Sequence, residues 1–205
     1  MNKKELIAKL IKKGVLKSKK VIEAFEKVPR EKFVLHGYED RAYEDIPLLI
    51  GYGQTISQPT TIAIMLESLD LERYHKVLDV GTGLGYLAAL LAEIVKDGKV
   101  ITIEVIPDLY EKAKENLKEY KNVVCILGDG SKGYEKEAPY DRIVVSAAAQ
   151  RIPRALIDQL KVKGKMVIPI GDMEYQEMYV IEKIGEDRIK KSSLGYFVFV
   201  PLIEK

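Results

Sequence analysis

The chain has 205 residues, 47% of them hydrophobic, and its 33 basic side chains nearly cancel its 31 acidic ones to leave a formal charge of +2. That length suits one domain with a proper core, and the charge balance gives no electrostatic ground for a polyanionic partner such as nucleic acid. A lone cysteine, Cys125, excludes an intrachain disulfide and fits a reducing compartment, and no run reaches the about 18 to 20 apolar residues of a membrane span, so a cytoplasmic protein is expected.

Helical spacing of Leu6 and Leu10, and of Val21, Phe25 and Val28, predicts amphipathic helices over 5–13 and 18–28, with Ser18 as N-cap and Pro29 as terminator. Residues 45–60, rich in Gly, Pro, Ser and Thr, read as an ordered loop. Helix resumes over 62–69, with Ser57 or Thr60 as its expected cap. From Lys76 onward apolar strands alternate with helices: strand 77–80, helix to about Val95, strand 99–104, helix 107–119, strand 122–127, strand 140–146, helix 153–160 and strand 165–170. This alternation implies an α/β fold with a mostly parallel sheet covered on both faces. Cys125 falls inside one of these strands and is expected in the core. Residues 176–183 and 195–202 are strand-like with no helix between them, which predicts an antiparallel pair at one edge. A single domain is expected, with 1–70 supplying helices and a loop and 71–205 the α/β core.

Asp79-Val80-Gly81-Thr82-Gly83-Leu84-Gly85 stands where a strand becomes a helix. Glycines there let a ligand approach the backbone at a helix N-terminus. The order is G-x-G-x-G, and Tyr86 occupies the position where the dinucleotide fingerprint requires glycine. Glu104 ends the next strand, nineteen residues after Gly85, where a carboxylate can accept hydrogen bonds from both ribose hydroxyls. Asp129, within Gly128-Asp129-Gly130, follows the third strand and suits an adenine amino group; alone, Asp-Gly is an ordinary turn pair. Three such features at successive strand ends favour a nucleoside cofactor, because open α/β sheets bind ligands at those ends. His36 and His75 lie apart from these signals, no side-chain set has metal-ligand spacing, and no metal is expected.

Beyond these features the chain resembles the protein-L-isoaspartate (D-aspartate) O-methyltransferase family. The matching segments include Val28-Pro29-Arg30, Asp45-Ile46-Pro47-Leu48, Gly51-Tyr52-Gly53-Gln54-Thr55-Ile56-Ser57-Gln58-Pro59, Val77–Gly85, Gly128–Gly130, Ala147-Ala148-Ala149 and Phe199-Val200-Pro201-Leu202. The Gly53–Pro59 run is specific to the family, whereas the glycine loop is shared by many methyltransferases. Leu49 departs from the expected proline. The resemblance implies a Rossmann-like class I methyltransferase fold of seven strands, with the strand swap typical of this family and extra N-terminal helices. It implies S-adenosyl-L-methionine as cofactor, held by Asp79, Gly81, Gly83, Leu84, Gly85, Glu104, Asp129 and Gly130. It implies Ser57 as the active-site serine, with Gln54, Thr55, Ile56, Ala147 and Ala148 shaping the substrate pocket. The implied activity is methylation of the α-carboxylate of L-isoaspartyl, and of D-aspartyl, residues in damaged proteins; a monomer is the default expectation.

A carboxylate is ionised at neutral pH, so such a reaction needs no general base, and Ser57 is expected to aim the acceptor rather than attack. Residues 43–58 are the candidate lid. An RNA methyltransferase would share the cofactor loop but should show a basic track and base-stacking aromatics, which the scattered tyrosines do not supply.

Overall fold

A computed structural model describes all 205 residues. Helix α1 (Lys3–Lys12) starts in a capping box: the Asn2 side chain accepts from Glu5 N at 3.0 Å, and Glu5 accepts from Asn2 N at 2.9 Å. Helix α2 (Lys19–Lys27) begins after Ser18, as expected, but the serine does not cap it. Its hydroxyl is buried without a partner, and the Glu67 carboxylate instead receives the Lys17 and Ser18 N–H groups, each at 2.8 Å.

The segment expected to be loop carries a small hairpin, β1 (Leu48–Gly51) with β2 (Gln54–Ile56). Its two-residue turn puts Tyr52 at φ 55° and Gly53 at φ 69°. Two consecutive positive φ values match the twist of paired strands. Helix α3 (Pro59–Ser68) opens at Pro59, a residue suited to a first turn because its missing N–H is not needed there. Neither Ser57 nor Thr60 caps it. Asp45 does so from the preceding loop, accepting from Thr60 N at 2.9 Å and Thr60 Oγ1 at 2.7 Å, while Lys13 pairs with the same carboxylate at 2.8 Å. Ser57 is thereby left free of capping duty.

The main sheet consists of β3 (Lys76–Val80), β4 (Lys99–Glu104), β5 (Val123–Leu127), β6 (Tyr140–Val145), β7 (Leu160–Gly171), β8 (Gln176–Gly185) and β9 (Arg188–Tyr196), in the order β5-β4-β3-β6-β7-β8-β9. Pairings from β5 to β7 are parallel, and β8 runs antiparallel to both of its neighbours. Helices α4 (Tyr86–Ile94) and α5 (Pro107–Leu117) pack with the N-terminal helices on one face, over a cluster of 38 buried residues. The other face has a cluster of 14 and only the short α6 (Arg154–Asp158), so cover on the two faces is lopsided. Cys125 is half-buried rather than in the core, because β5 is an edge strand. No helix is long and apolar enough to cross a membrane.

The antiparallel edge pair is present, but its second strand is shifted. The polar run Arg188–Tyr196 forms β9, largely exposed, and the apolar run expected as strand leaves the sheet. Gly195, at φ 100°, turns the chain away. Residues 197–202 then cross the end of the sheet, held by Ala148 N to Val200 O and Leu202 N to Ala148 O, each 2.8 Å. That crossing brings them over the carboxyl ends of the strands, beside the switch point between β3 and β6 where the strand order reverses.

Candidate functional site

The β3–α4 turn is held from behind. Gly81 N and Thr82 N both donate to Ile103 O, at 3.0 and 3.2 Å, which ties the loop to β4. Thr102 Oγ1 donates to Asp79 Oδ2 at 2.7 Å, so its oxygen receives the Thr82 hydroxyl at 2.6 Å. This hydroxyl chain anchors the glycine loop to a carboxyl group that is 0% exposed. Burial pushes the Asp79 pKa up to about 7, against the lowering effect of the Thr102 hydrogen bond, and its Oδ1 has no partner. Asp79 therefore supports the loop and does not line the cavity in front of it.

Gly85 is also structural. Its φ of 101° and the Leu117 carbons 2.9 Å from where a Cβ would lie leave room for no side chain, which seats α4 tightly against α5. Gly81, Gly83 and Leu84 do face the cavity, a cleft that Glu104 and Gly130 also line. A Cβ on Gly83 would come within 3.0 Å of Ile50 in the hairpin, so this glycine keeps the space between loop and hairpin open.

Glu104 is nearly buried at the cavity wall. Its Oε1 accepts from Val105 N and Ile106 N at 2.9 and 3.0 Å, and its Oε2 from Gly83 N at 2.8 Å. Burial still leaves its pKa raised, although three N–H groups favour the charged form. A carboxylate offers about four acceptor positions, so one remains on Oε2. The structure thus leaves room for one ribose hydroxyl on free acceptor capacity, where the sequence suggested two.

Asp129 is placed differently from expectation. Ser131 N and Oγ occupy Oδ1 at 2.9 and 2.7 Å, Lys205 N reaches Oδ2 at 2.8 Å, and Lys132 pairs with it at 3.4 Å. The carboxylate lies outside the cavity lining, which takes Gly130 instead together with Leu202 and Ile203.

A second groove runs beside the first. It is lined by Pro47, Thr55, Gln58, Thr60 and the 196–200 segment. Thr55, Ser57, Ser146 and Val200 border both spaces. Gln54, Ile56 and Ala147 line the first cavity, while Ala148 faces a separate depression beside Gln150 and Arg151. Thus the structure gathers Ser57, Gln54, Thr55, Ile56, Gly81, Gly83, Leu84, Glu104, Gly130 and Ala147 around one cleft. It leaves Asp79, Gly85, Asp129 and Ala148 outside. Sequence reasoning missed Ser146 and Val200. Ser146 follows β6 at the strand end where ligands bind, so its position carried the signal. Val200 gave none, because its run read as strand.

A family model described as protein-L-isoaspartate (D-aspartate) O-methyltransferase matches residues 1–205. The chain belongs to this family. It is 55% identical over 203 residues to protein-L-isoaspartate O-methyltransferase 2 of Archaeoglobus fulgidus, covering 98% of this chain and 92% of that one. It is 54% identical over 207 residues to the protein-L-isoaspartate O-methyltransferase of Ignicoccus hospitalis, covering 99% and 98%. Among solved structures it superposes with a TM-score of 0.89, at 30% identity and full coverage of both chains, on a Plasmodium falciparum structure described as a protein-L-isoaspartate O-methyltransferase in complex with S-adenosyl-L-homocysteine.

Proposed function

We propose that the two adjoining spaces are the two halves of one methyl-transfer site, the cleft for S-adenosyl-L-methionine and the groove for an isoaspartyl peptide. The observation that carries this reading is their common border of Thr55, Ser57, Ser146 and Val200. A transfer between two reactants needs them to meet at one seam with everything else kept apart.

The residues present fit the cofactor. The glycine loop offers backbone rather than side chains, Gly83 keeps a gap that a Cβ would narrow, and Glu104 retains one acceptor position. When bound, the cofactor supplies a methyl group on a sulfonium, an electrophile that needs no further activation. Glu104 would hold its ribose, with Gly81, Gly83 and Leu84 beside it, and Ile203 and Gly130 would border the base.

The acceptor carboxylate needs no base, and the site provides none. Exposed His36 pairs with Glu39 at 3.1 Å, and buried His75 accepts from Glu72 N at 2.9 Å; neither lines the two spaces. Ser57 is half-buried at the seam with no histidine to activate it. Its work is to donate a hydrogen bond to one carboxylate oxygen and leave the other aimed across the seam. Transfer would form an O–CH₃ bond on the aimed carboxylate oxygen, the methyl group leaving sulfur without its bonding electron pair. The methyl ester then closes without further help: the neighbouring backbone nitrogen attacks the ester carbonyl, methanol leaves, and the succinimide hydrolyses to aspartyl and isoaspartyl products.

The test is methyl transfer from labelled S-adenosyl-L-methionine to paired peptides that differ only in isoaspartate or aspartate. Labelling of the isoaspartyl peptide alone is expected, and Ser57→Ala should lose transfer while still binding S-adenosyl-L-homocysteine. Equal labelling of both peptides would refute the substrate, and a fully active S57A would remove the serine from the mechanism.

A further inference from the structure

Arg30 belongs to the Val28-Pro29-Arg30 motif, and the reaction just described does not use it. It is a charged side chain 0% exposed to solvent, and no carboxylate pairs with it. Its Nε donates to Ala42 O at 2.8 Å and its Nη2 to Ser57 O at 2.9 Å, while Nη1 has no partner. The guanidinium lies over the Tyr86 ring, 4.9 Å from its centre. Burial brings its pKa down to about 10, which leaves it charged at neutral pH. A hydrocarbon side chain would fill this space beside Tyr86 without stranding a charge among carbonyls. Packing therefore does not account for it.

What the guanidinium does is geometric. Ala42 and Ser57 are the two ends of the segment that carries the hairpin. One rigid fork holds both ends, which a single-point donor cannot do. The Ser57 carbonyl belongs to the peptide plane that leads into α3, so fixing it fixes the direction in which the serine side chain leaves the backbone. Nothing local does this instead: Gln58, the N-cap of α3, makes no side-chain cap, and the helix is capped by Asp45. Tyr86, beneath the guanidinium, is the first residue of α4 and lines the cofactor cleft. Arg30 thus joins the hairpin segment, the serine and the end of the glycine loop.

We infer that Arg30 is a positioning residue for methyl transfer, clamping the Ser57 carbonyl so that the serine hydroxyl faces the acceptor carboxylate at the seam. The inference rests on the reading of Ser57 given above. Two variants test it. Arg30→Lys keeps the charge but offers one nitrogen in place of the separate Nε and Nη2 that reach the two carbonyls. An ester in place of the Ser57–Gln58 peptide bond weakens the same carbonyl as an acceptor and leaves every side chain in place, so the test stands even where R30K folds poorly. The readouts are kcat and KM with an isoaspartyl hexapeptide, S-adenosyl-L-homocysteine affinity by calorimetry, and Tm. The charge-assisted bond predicts a kcat at least about tenfold lower in R30K and about threefold lower in the ester, with cofactor affinity within about twofold of wild type. A merely structural arginine would lower Tm and leave kcat per folded molecule unchanged, and that result overturns the inference. Ser57→Ala, assayed alongside, separates the two readings. If S57A keeps full activity, the role of the serine fails, and the clamp with it. If S57A is inactive while R30K and the ester both turn over normally, only the clamp fails.

Discussion

Replacing Asp79 by asparagine removes a buried carboxyl group with little change of shape. Burial pushes its pKa up from 3.8 to about 7 in the folded chain, and each tenfold change in proton affinity is worth about 1.4 kcal/mol. Between those two pH values the folded chain holds a proton that the unfolded chain has released. Stability from this group is therefore fully present below about pH 4 and is lost as pH rises through about 7, about 4 kcal/mol in all. Asparagine does not titrate. Its amide hydrogens meet no acceptor where Oδ1 stood without a partner, but that cost is the same at every pH. The pH dependence of the difference between the two proteins, rather than its absolute size, isolates the carboxyl group. Urea unfolding of wild type and D79N at about pH 4, 5.5 and 8 should show wild type losing about 4 kcal/mol relative to the variant across the series. Parallel profiles would refute the claim that the carboxyl group is held without a compensating charge.

Three further outcomes are expected. Glu104→Gln sets an amide against backbone donors now satisfied by a carboxylate, and should weaken S-adenosyl-L-homocysteine binding by about 10- to 100-fold in calorimetry; unchanged affinity would take Glu104 out of the ribose site. Gly85→Ala meets both a φ of 101° and the Leu117 side chain, and should destabilise by about 2 kcal/mol, with part restored by adding Leu117→Ala if the clash is real. Asp45→Ala uncaps α3 and strands Lys13, and should cost about 1–2 kcal/mol in denaturant unfolding, whereas a loss below about 0.5 kcal/mol would show the cap to be idle.

What the sequence made legible follows from how local each signal is. The strand ends at Val80 and Glu104 and the glycine loop were placed correctly because an apolar run meeting glycines is a short-range pattern. The β1–β2 hairpin was not, because its turn puts a tyrosine at positive φ, where Asn or Gly is the usual sign. Polar β9 and the apolar run after it were exchanged for a related reason. Strand periodicity reports burial, and β9 is a strand with almost nothing to bury, whereas the apolar residues 197–202 leave the sheet with only Phe199 buried. Asp79 and Asp129 are placed otherwise than their strand-end positions suggest. Both are acidic residues at the carboxyl ends of strands, but one is turned inward to a threonine and the other is saturated by Ser131, Lys132 and Lys205. Hydrogen-bond partners such as Thr102, 23 residues from Asp79, and Lys205, 76 residues from Asp129, leave no trace in a local motif. Arg30 is the extreme case, because the sequence displays a basic residue, and only the tertiary structure shows that it is fully enclosed.

The composition of β9 has a bearing on the company this enzyme keeps. An isoaspartyl linkage inserts an extra methylene into the main chain, so its substrates are segments that have lost regular pairing and carry free backbone donors and acceptors. An open sheet edge is where such segments would stick. β9 presents Arg188, Lys190 and Lys191 followed by two serines, and these residues are exposed. Lysine on an edge strand discourages a foreign strand from adding to the ladder, because pairing would bury its charge. The apolar surface that can grip a peptide is displaced past Gly195, where Val198 is 92% exposed and the chain has left the sheet. On the reading proposed for the groove, a damaged chain would be held off the strand ladder, and the charged edge of β9 keeps it from adding to the sheet.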